Sequence, residues 1–340
     1  MDSNGLLLAA LGRYGLRPRR LHRLAAAVVR VDADDGRRYA LRCTPRSGRA
    51  FGDIPLELAW IAALRRETDV DPPEPVPGLD GGLVQDVKVP ETPEPYDCVL
   101  FRWIPGVELA ERLTPENVRH LGVLSARLHE HALTFHPPPA LPVRTLDQLL
   151  RGNERDVLFR HEHPLFLPPS RRAIFEAMAE RFHQALTALY AGAAGLRVIH
   201  ADLHQENVKV HRGRLRPLDF YESIWGFPVQ DVALTLYDLR EFANTRPYGY
   251  EALREAFSRG YTLRLPWPEQ HPGQIDTLIA GRQLRRANWV LAHETAPFAT
   301  DPAKVPDPSK IVWFFERLEQ EFRALLGVAS SPEPVGLVRR

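Results

Sequence analysis

VIHADLHQENVKVHRGRLRPLDF, Val198–Phe220, is the stretch from which the rest of the chain can be read. Val198-Ile199 is a short apolar strand that delivers a polar loop, His200-Ala201-Asp202-Leu203-His204-Gln205-Glu206-Asn207. Val208 and Val210 alternate with polar residues and predict a second strand. Arg212-Gly213 supplies a turn, and Leu215–Leu218 a returning strand that ends on Asp219-Phe220. One hairpin therefore carries Asp202 and Asn207 ahead of its first strand and Asp219 after its last, which gathers three polar side chains at one end.

That grouping suits phosphoryl transfer, in which the protein mainly positions the reactants and neutralises charge. A carboxylate must accept a hydrogen bond from the attacking hydroxyl, and Asp202 is placed for it. Magnesium takes oxygen ligands and retains several waters, so few protein groups suffice. Asn207 and Asp219 are candidates. Asp, then Asn five residues on, then Asp-Phe after a hairpin is the order of the catalytic and metal loops of protein kinases. Here the leading residues are His-Ala-Asp, and no Gly follows Phe220.

His200-x-Asp202-Leu203-His204-x-x-Asn207, Leu218-Asp219-Phe220 and the later Gly226-Phe-Pro-Val-Gln-Asp231-Val-Ala233 together resemble the aminoglycoside-phosphotransferase and choline-kinase superfamily. ELAWIAALRRETDV followed by PPEPVPGLDGGLV resembles its stress-response-kinase-like or homoserine-kinase-like bacterial branch. The resemblance implies an α+β, protein-kinase-like fold of two lobes. Residues 1–103 are then a small antiparallel-sheet lobe with one helix that covers the nucleotide. Residues 104–340 are a mainly helical lobe with the catalytic hairpin and substrate site. It further implies ATP as co-substrate, Mg²⁺ as cofactor, Asp202 as catalytic residue, and Asn207 and Asp219 as metal ligands.

Composition sets limits. The formal net charge of +1 over 340 residues argues against a dominant nucleic-acid or acidic-membrane partner. No apolar run reaches transmembrane length, and the N-terminus does not read as a signal peptide. Two cysteines, Cys43 and Cys98, in apparent strands predict a reducing, cytoplasmic setting and small buried hydrophobes. Only four lysines occur, at Lys88, Lys209, Lys304 and Lys310, among 44 basic side chains.

Toward the N-terminus, Ser3-Asn4 caps a helix over Gly5–Tyr14. Arg17–Arg23 reads as a basic, irregular connector. Ala27–Val31 and Arg38–Cys43 are strands around the turn Asp34-Asp35-Gly36. In the resembling fold the later strand carries a lysine for the α- and β-phosphates; its counterpart here is Arg42, and Ala25-Ala26-Ala27 stands where a Gly-rich loop is usual. Arg42 is thus either a phosphate-binding group or an ordinary strand charge. Asp53-Ile54-Pro55 starts a helix with an apolar stripe of Leu56, Trp60, Ala63 and Leu64. Glu57 beside that stripe is, by resemblance, the partner of Arg42, and otherwise a solvated helix charge. Leu83–Val89 is a strand, and Cys98–Ile104 another, ended by Pro105-Gly106. By resemblance the latter is the hinge, with Phe101 and Trp103 as candidate walls of the adenine site; core packing is the rival reading for Phe101.

Beyond residue 104, Thr114-Pro115-Glu116 starts a helix whose Leu121, Leu124 and Leu128 hold helical spacing up to a structural His129. Residues 143–170 alternate short helical pieces with loops and include His161-Glu162-His163, a surface loop rather than a zinc site. Arg171–Ala191 is a long amphipathic helix. Asp231 begins a helix over Val232–Phe242, its carboxylate suited to that helix's N-terminal amides, and in the resembling fold braces the catalytic loop, as does His200. Glu251–Arg259, Ile275–His293 and Val312–Leu326 are further helices, and a loose tail follows Ala329.

The acceptor is less legible. Residues 222–340 carry 15 acidic and 14 basic side chains, which gives no support to a polycationic acceptor. Arg282, Arg285 and Arg286 read as a solvated helix face. The expected reaction is ATP-dependent transfer to an alcohol: homoserine, an amino-alcohol or a protein Ser/Thr. The alternative is a nucleotide-binding pseudokinase with a regulatory or scaffold role, supported by Arg42 and the missing Gly-rich loop.

Overall fold

The computed structural model describes all residues except 1–2, 26, 47–53, 91, 93, 140, 142–143, 151–153, 193–194, 244–246, 295–307 and 330–340. Asp53 at the expected helix start, Ala26 and the tail after Ala329 therefore lie outside the described residues. The fold is α+β, with an antiparallel sheet in the N-terminal part and helices in the C-terminal part. The chain forms two compact units, Met1–Thr145 with Leu196–Pro268, and Leu146–Gly195 with Glu269–Arg340. The boundary expected at residues 103/104 lies inside the first.

The first unit opens with helix α1 (Ser3–Arg13) and strands β1 (Pro18–Arg23), β2 (Val28–Ala33) and β3 (Arg38–Pro45). The stretch read as a basic connector is thus an edge strand, paired antiparallel with β2. An edge needs partners on one side only and tolerates exposed charge, so its arginines hide the β signal. Helix α2 (Ile54–Glu67) follows, then β4 (Pro75–Val76), β5 (Val84–Val87) and β6 (Tyr96–Arg102). The order is β1-β2-β3-β6, with β4 and β5 both on the outer edge of β6.

Period-2 alternation gives β3 two different faces. Tyr39, Leu41 and Cys43 join Val29, Val31 and Leu100 in a core covered by Leu7 and Leu11 of α1 and by Tyr14 just after it. Arg42, between Leu41 and Cys43, faces the other way, toward Glu57 of α2. Both cysteines are free and buried.

Helix α3 (Pro115–His131) begins as its sequence predicts, with Thr114 Oγ1 accepting from Asn117 N at 3.2 Å. Later come β7 (Val107–Glu108, ahead of α3), β8 (Arg197–Ile199), β9 (Val208–His211), β10 (Arg214–Pro217) and β11 (Ile224–Gly226). Helices α5 (Pro228–Ala243) and α6 (Tyr250–Tyr261) complete the unit. Between the strands of the central hairpin, Arg212 and Gly213 turn the chain with φ 50° and 76°.

The second unit contains α4 (Pro169–Ala191), α7 (Gln274–Glu294) and α8 (Pro308–Leu326). Phe175, Met178, Leu284, Leu291, Phe315 and Phe322 form its core. The helical pieces expected over 143–170 are absent among the described residues up to Pro168, which form turns and bends. Their backbone is satisfied from outside instead. Asn288 Oδ1 accepts from Val157 N and Leu158 N at 2.8 and 2.9 Å, and its Nδ2 donates to Arg155 O. His163 is buried and donates to Val157 O. Arg285 is mostly buried against Glu154 rather than solvated, whereas Arg286 is exposed as expected and stacks over the exposed Trp289. Among the described residues no helix is long and apolar enough to cross a membrane.

Candidate active site

The central hairpin is laid down by its own sequence. Val198 and Ile199 are buried in β8, which pairs with β11 and stops at His200. Val208 opposes Pro217 in the β9–β10 ladder, and Leu218 N donates to Asn207 O at 2.7 Å to extend it. Asn207 and Leu218 are therefore cross-strand neighbours, and Asp219 stands at the same end.

The loop between β8 and β9 is held in an uncommon shape. Ala201 has φ 60° and Asp219 φ 53°, left-handed values that cost an L-residue about 1–2 kcal/mol. Asp231 compensates at Ala201. Its Oδ1 accepts from Ala201 N at 2.8 Å and its Oδ2 from His200 N at 3.3 Å. His200 Nε2 donates to Leu218 O at 2.9 Å and ties the loop to the hairpin. Helix α5 starts at Pro228, so Asp231 lies within its first turn. Its carboxylate serves the loop between β8 and β9 and not the amides of its own helix, which corrects the capping expectation and matches the bracing one.

Asp202 and Asn207 meet directly. Asn207 Nδ2 donates to Asp202 Oδ2 at 2.9 Å and to Asp202 O at 3.0 Å. With its nitrogen turned to Asp202, Asn207 retains Oδ1 as the atom able to bind a cation. His204 Nε2 lies 3.5 Å from Asp202 Oδ2. Burial disfavours the charged imidazole of His204, but the hydrogen bond and charge of Asp202, with Asp238 and Glu206, outweigh it and raise its pKa.

Arg42 is buried, and it is not an ordinary surface charge. Its Nη1 donates to Glu57 Oε1 at 2.9 Å and its Nη2 to Glu57 Oε2, a fork-to-fork pair. Asp219 Oδ1 is 3.7 Å from the same Nη1. The guanidinium lies 4.4 Å from the Tyr221 ring centre and 5.7 Å from that of Phe101. Burial lowers the Arg42 pKa, yet Glu57, then Asp219 and Tyr221, raise it above the ordinary value. Burial pushes Glu57 up, against the pull of Arg42. The paired, parallel bonds are those of an ionised pair, and both groups are charged.

Arg42, Glu57, Asn207, Asp219, Phe101 and Trp103 all line one cleft of about 690 Å³. Asp202 is one hydrogen bond behind that wall, through Asn207. Phe101 is both buried and cleft-lining, so the two readings of it coincide. Phe220 is fully buried, 5.4 Å edge-on to Trp60 and 4.7 Å from His200, which anchors the segment that carries Asp219.

Sequence reasoning missed other cleft residues. Glu108 and Lys209 face each other in register, with Nζ 3.0 Å from Oε1. Arg30, 5.7 Å over the Trp103 ring, also lines the cleft. Lys209 was within reach of sequence: two residues after Asn207 on a strand, it shares that residue's face. Arg30 and Glu108 had no local signal, because only strand pairing brings them there.

Among the described residues no group of three or more His, Cys, Asp or Glu is arranged to hold a metal ion. A cation at this site would rest on the sparse pair Asn207 and Asp219, a hard-oxygen set that fits magnesium with its retained waters.

Residues 19–272 match the profile of the Phosphotransferase enzyme family. No curated protein matches the chain. Among solved structures, an amicoumacin kinase in complex with AMP-PNP, Ca²⁺ and Ami superposes with TM-score 0.73 at 19% identity, over 94% of each chain. A microcompartment-associated aminopropanol kinase gives TM-score 0.74 at 21% identity, covering 95% of this chain and 98% of that one. A spectinomycin phosphotransferase in complex with ADP and spectinomycin gives 0.62 at 13% identity, covering 96% and 98%. At these identities the likeness is one of fold.

Proposed function

We propose, from the premise that this chain belongs to the Phosphotransferase enzyme family, that it moves the γ-phosphate of ATP to the hydroxyl of an alcohol acceptor. The observation that carries the reading is the Asn207–Asp202 hydrogen bond at 2.9 Å, with Asn207 and Asp219 opening on one cleft. Asp202 orients the acceptor hydroxyl and accepts its proton. Asn207 Oδ1 and the Asp219 carboxylate hold Mg²⁺, which when bound supplies charge neutralisation at the phosphates. Arg42, kept in place by Glu57, faces the α- and β-phosphates. Phe101 and Trp103 wall the base. Residues 1–103 cover the nucleotide, and the strand ending at Arg102 leads into the hinge.

An acceptor such as homoserine, another amino-alcohol or a protein Ser/Thr fits the even charge balance of residues 222–340. The aminopropanol kinase neighbour adds support for a small amino-alcohol. Free, buried Cys43 and Cys98 accord with the reducing cytoplasm. The Arg42–Glu57 pair favours this reading over a pseudokinase, because the arginine keeps the acidic partner expected of an active enzyme.

The test is a phosphotransfer screen with labelled ATP and Mg²⁺ across amino-alcohols, sugars and protein substrates, run beside Asp202→Asn. Loss of about 10²–10⁴-fold in the variant is expected. Full activity in Asp202→Asn, or nucleotide binding with no turnover on any acceptor, would refute it.

A further inference from the structure

A chain of three buried side chains lies behind the catalytic loop, outside the cleft. The Tyr261 hydroxyl, on α6, is 3.0 Å from His129 Nδ1 on α3, a partner 132 residues away in sequence. The other ring nitrogen, Nε2, is 2.9 Å from Asp231 Oδ2. All three residues are at most 1% exposed. Asp231 in turn accepts the backbone N–H groups of His200 and Ala201, the two residues that precede Asp202.

Hydrogen-bond chemistry gives this chain a direction. An ionised carboxylate offers only lone pairs, so His129 must present Nε2–H to Asp231. A neutral imidazole then has an acceptor at Nδ1, and the Tyr261 hydroxyl is the donor that fills it. Asp231 thus sets the tautomer, and the hydroxyl on α6 fills the remaining nitrogen and fixes the orientation of the ring.

Helix packing makes the contact reachable. A Cβ on Gly260 would stand 1.8 Å from Arg119 O, and one on Gly122 would stand 2.1 Å from Phe257 O. The two bare positions let α3 and α6 approach closely enough for Tyr261 to meet His129. At the far end, Ala201 sits at φ 60°, a conformation that needs an outside partner to persist.

We infer that Tyr261 and His129 are positioning residues for phosphoryl transfer. They orient the Asp231 carboxylate, which holds the left-handed Ala201 and so aims the carboxylate of Asp202. The inference rests on the reading of Asp202 as the group that accepts the acceptor's proton. Tyr261→Phe isolates the effect, since the ring keeps its packing on Phe257 and Trp267 and only the hydroxyl is lost.

The experiment compares full-length wild type, Tyr261→Phe, His129→Gln, His129→Leu and Asp202→Asn. The readouts are Mg²⁺-dependent ATP hydrolysis, Mg²⁺·ATP affinity by calorimetry, and the ¹⁵N–¹H imidazole signals of His129. Tyr261→Phe is expected to bind Mg²⁺·ATP like wild type, lose about 10-fold in kcat at unchanged KM, and shift the ¹⁵Nδ1 resonance of His129 as its donor is lost while Nε2–H is kept. His129→Gln, whose amide still donates to Asp231, keeps more activity than His129→Leu. Wild-type turnover in Tyr261→Phe while Asp202→Asn is inactive overturns the inference and leaves the proposed function standing. Full activity in Asp202→Asn overturns the proposed function and, with it, the inference. An Nδ1–H tautomer at His129 in the wild type overturns the inference whatever the turnover.

Discussion

Arg42 and Glu57 are joined by two parallel hydrogen bonds, one of them 2.9 Å long, between strand β3 and helix α2. Removing one member of such a buried pair strands the other. Arg42→Met is expected to cost about 3–5 kcal/mol of folding stability. Arg42→Lys keeps the charge, loses the fork and should fall between wild type and Arg42→Met. Urea unfolding of the three proteins measures this, and a fully stable Arg42→Met would contradict the ionised pair.

Asn207→Ala removes both the hydrogen bond to Asp202 and the amide oxygen offered to a cation. Turnover is expected to fall about 10–100-fold, and the Mg²⁺ concentration for half-maximal activity to rise. A magnesium titration of activity reads both. An unaltered magnesium requirement would overturn the proposed role of Asn207 in holding a cation.

Acid pH should weaken the brace at Asp231. Burial raises its pKa, but the hydrogen bond and charge of His129, then His200 and the Ala201 amide, outweigh burial and lower it. A carboxyl whose folded pKa lies below its unfolded value adds stability above the ordinary carboxylate range and loses it as pH falls through the folded pKa. Asp231→Asn should therefore be less stable than wild type at neutral pH, and the gap should shrink below about pH 4. Unfolding free energies across pH 7 to 3 test this; a gap that stays constant would show that the ionisation of Asp231 does not matter.

Gly260→Ala places a methyl group 1.8 Å from the Arg119 carbonyl oxygen, an atom of helix backbone that cannot swing aside. A loss of about 1–3 kcal/mol is expected, visible as a lowered Tm. Gly12, in α1, has nothing within 4 Å of its would-be Cβ. Gly12→Ala is expected to be neutral or to stabilise by up to about 1 kcal/mol. Equal effects from the two substitutions would show that the α3–α6 crossing is not set by Gly260.

Asp202, Asn207 and Asp219 were legible because they lie within one hairpin, where spacing along the chain translates directly into place. Thr114 was legible for the same reason, a cap being a local rule, whereas the sequence left Arg42 open between a phosphate-binding group and an ordinary strand charge until its burial against Glu57 was seen. The edge strand Pro18–Arg23 was not, since exposed arginines on an open edge imitate a loop. The short helical pieces expected before Pro169 did not form, because the order of that stretch comes from Asn288, 131 and 130 residues beyond the amides it holds.

By itself, then, the sequence determined the hairpin and the residue types at its end, since backbone propensity and short-range spacing act within a few residues. Where the long-range hydrogen bonds went was settled by tertiary packing: Asp231 to Ala201 and not to its own helix, Tyr261 to His129, and Glu108 to Lys209 between paired strands β7 and β9. Those choices follow from which buried polar groups the packed helices and paired strands leave facing one another, and no local pattern encodes that.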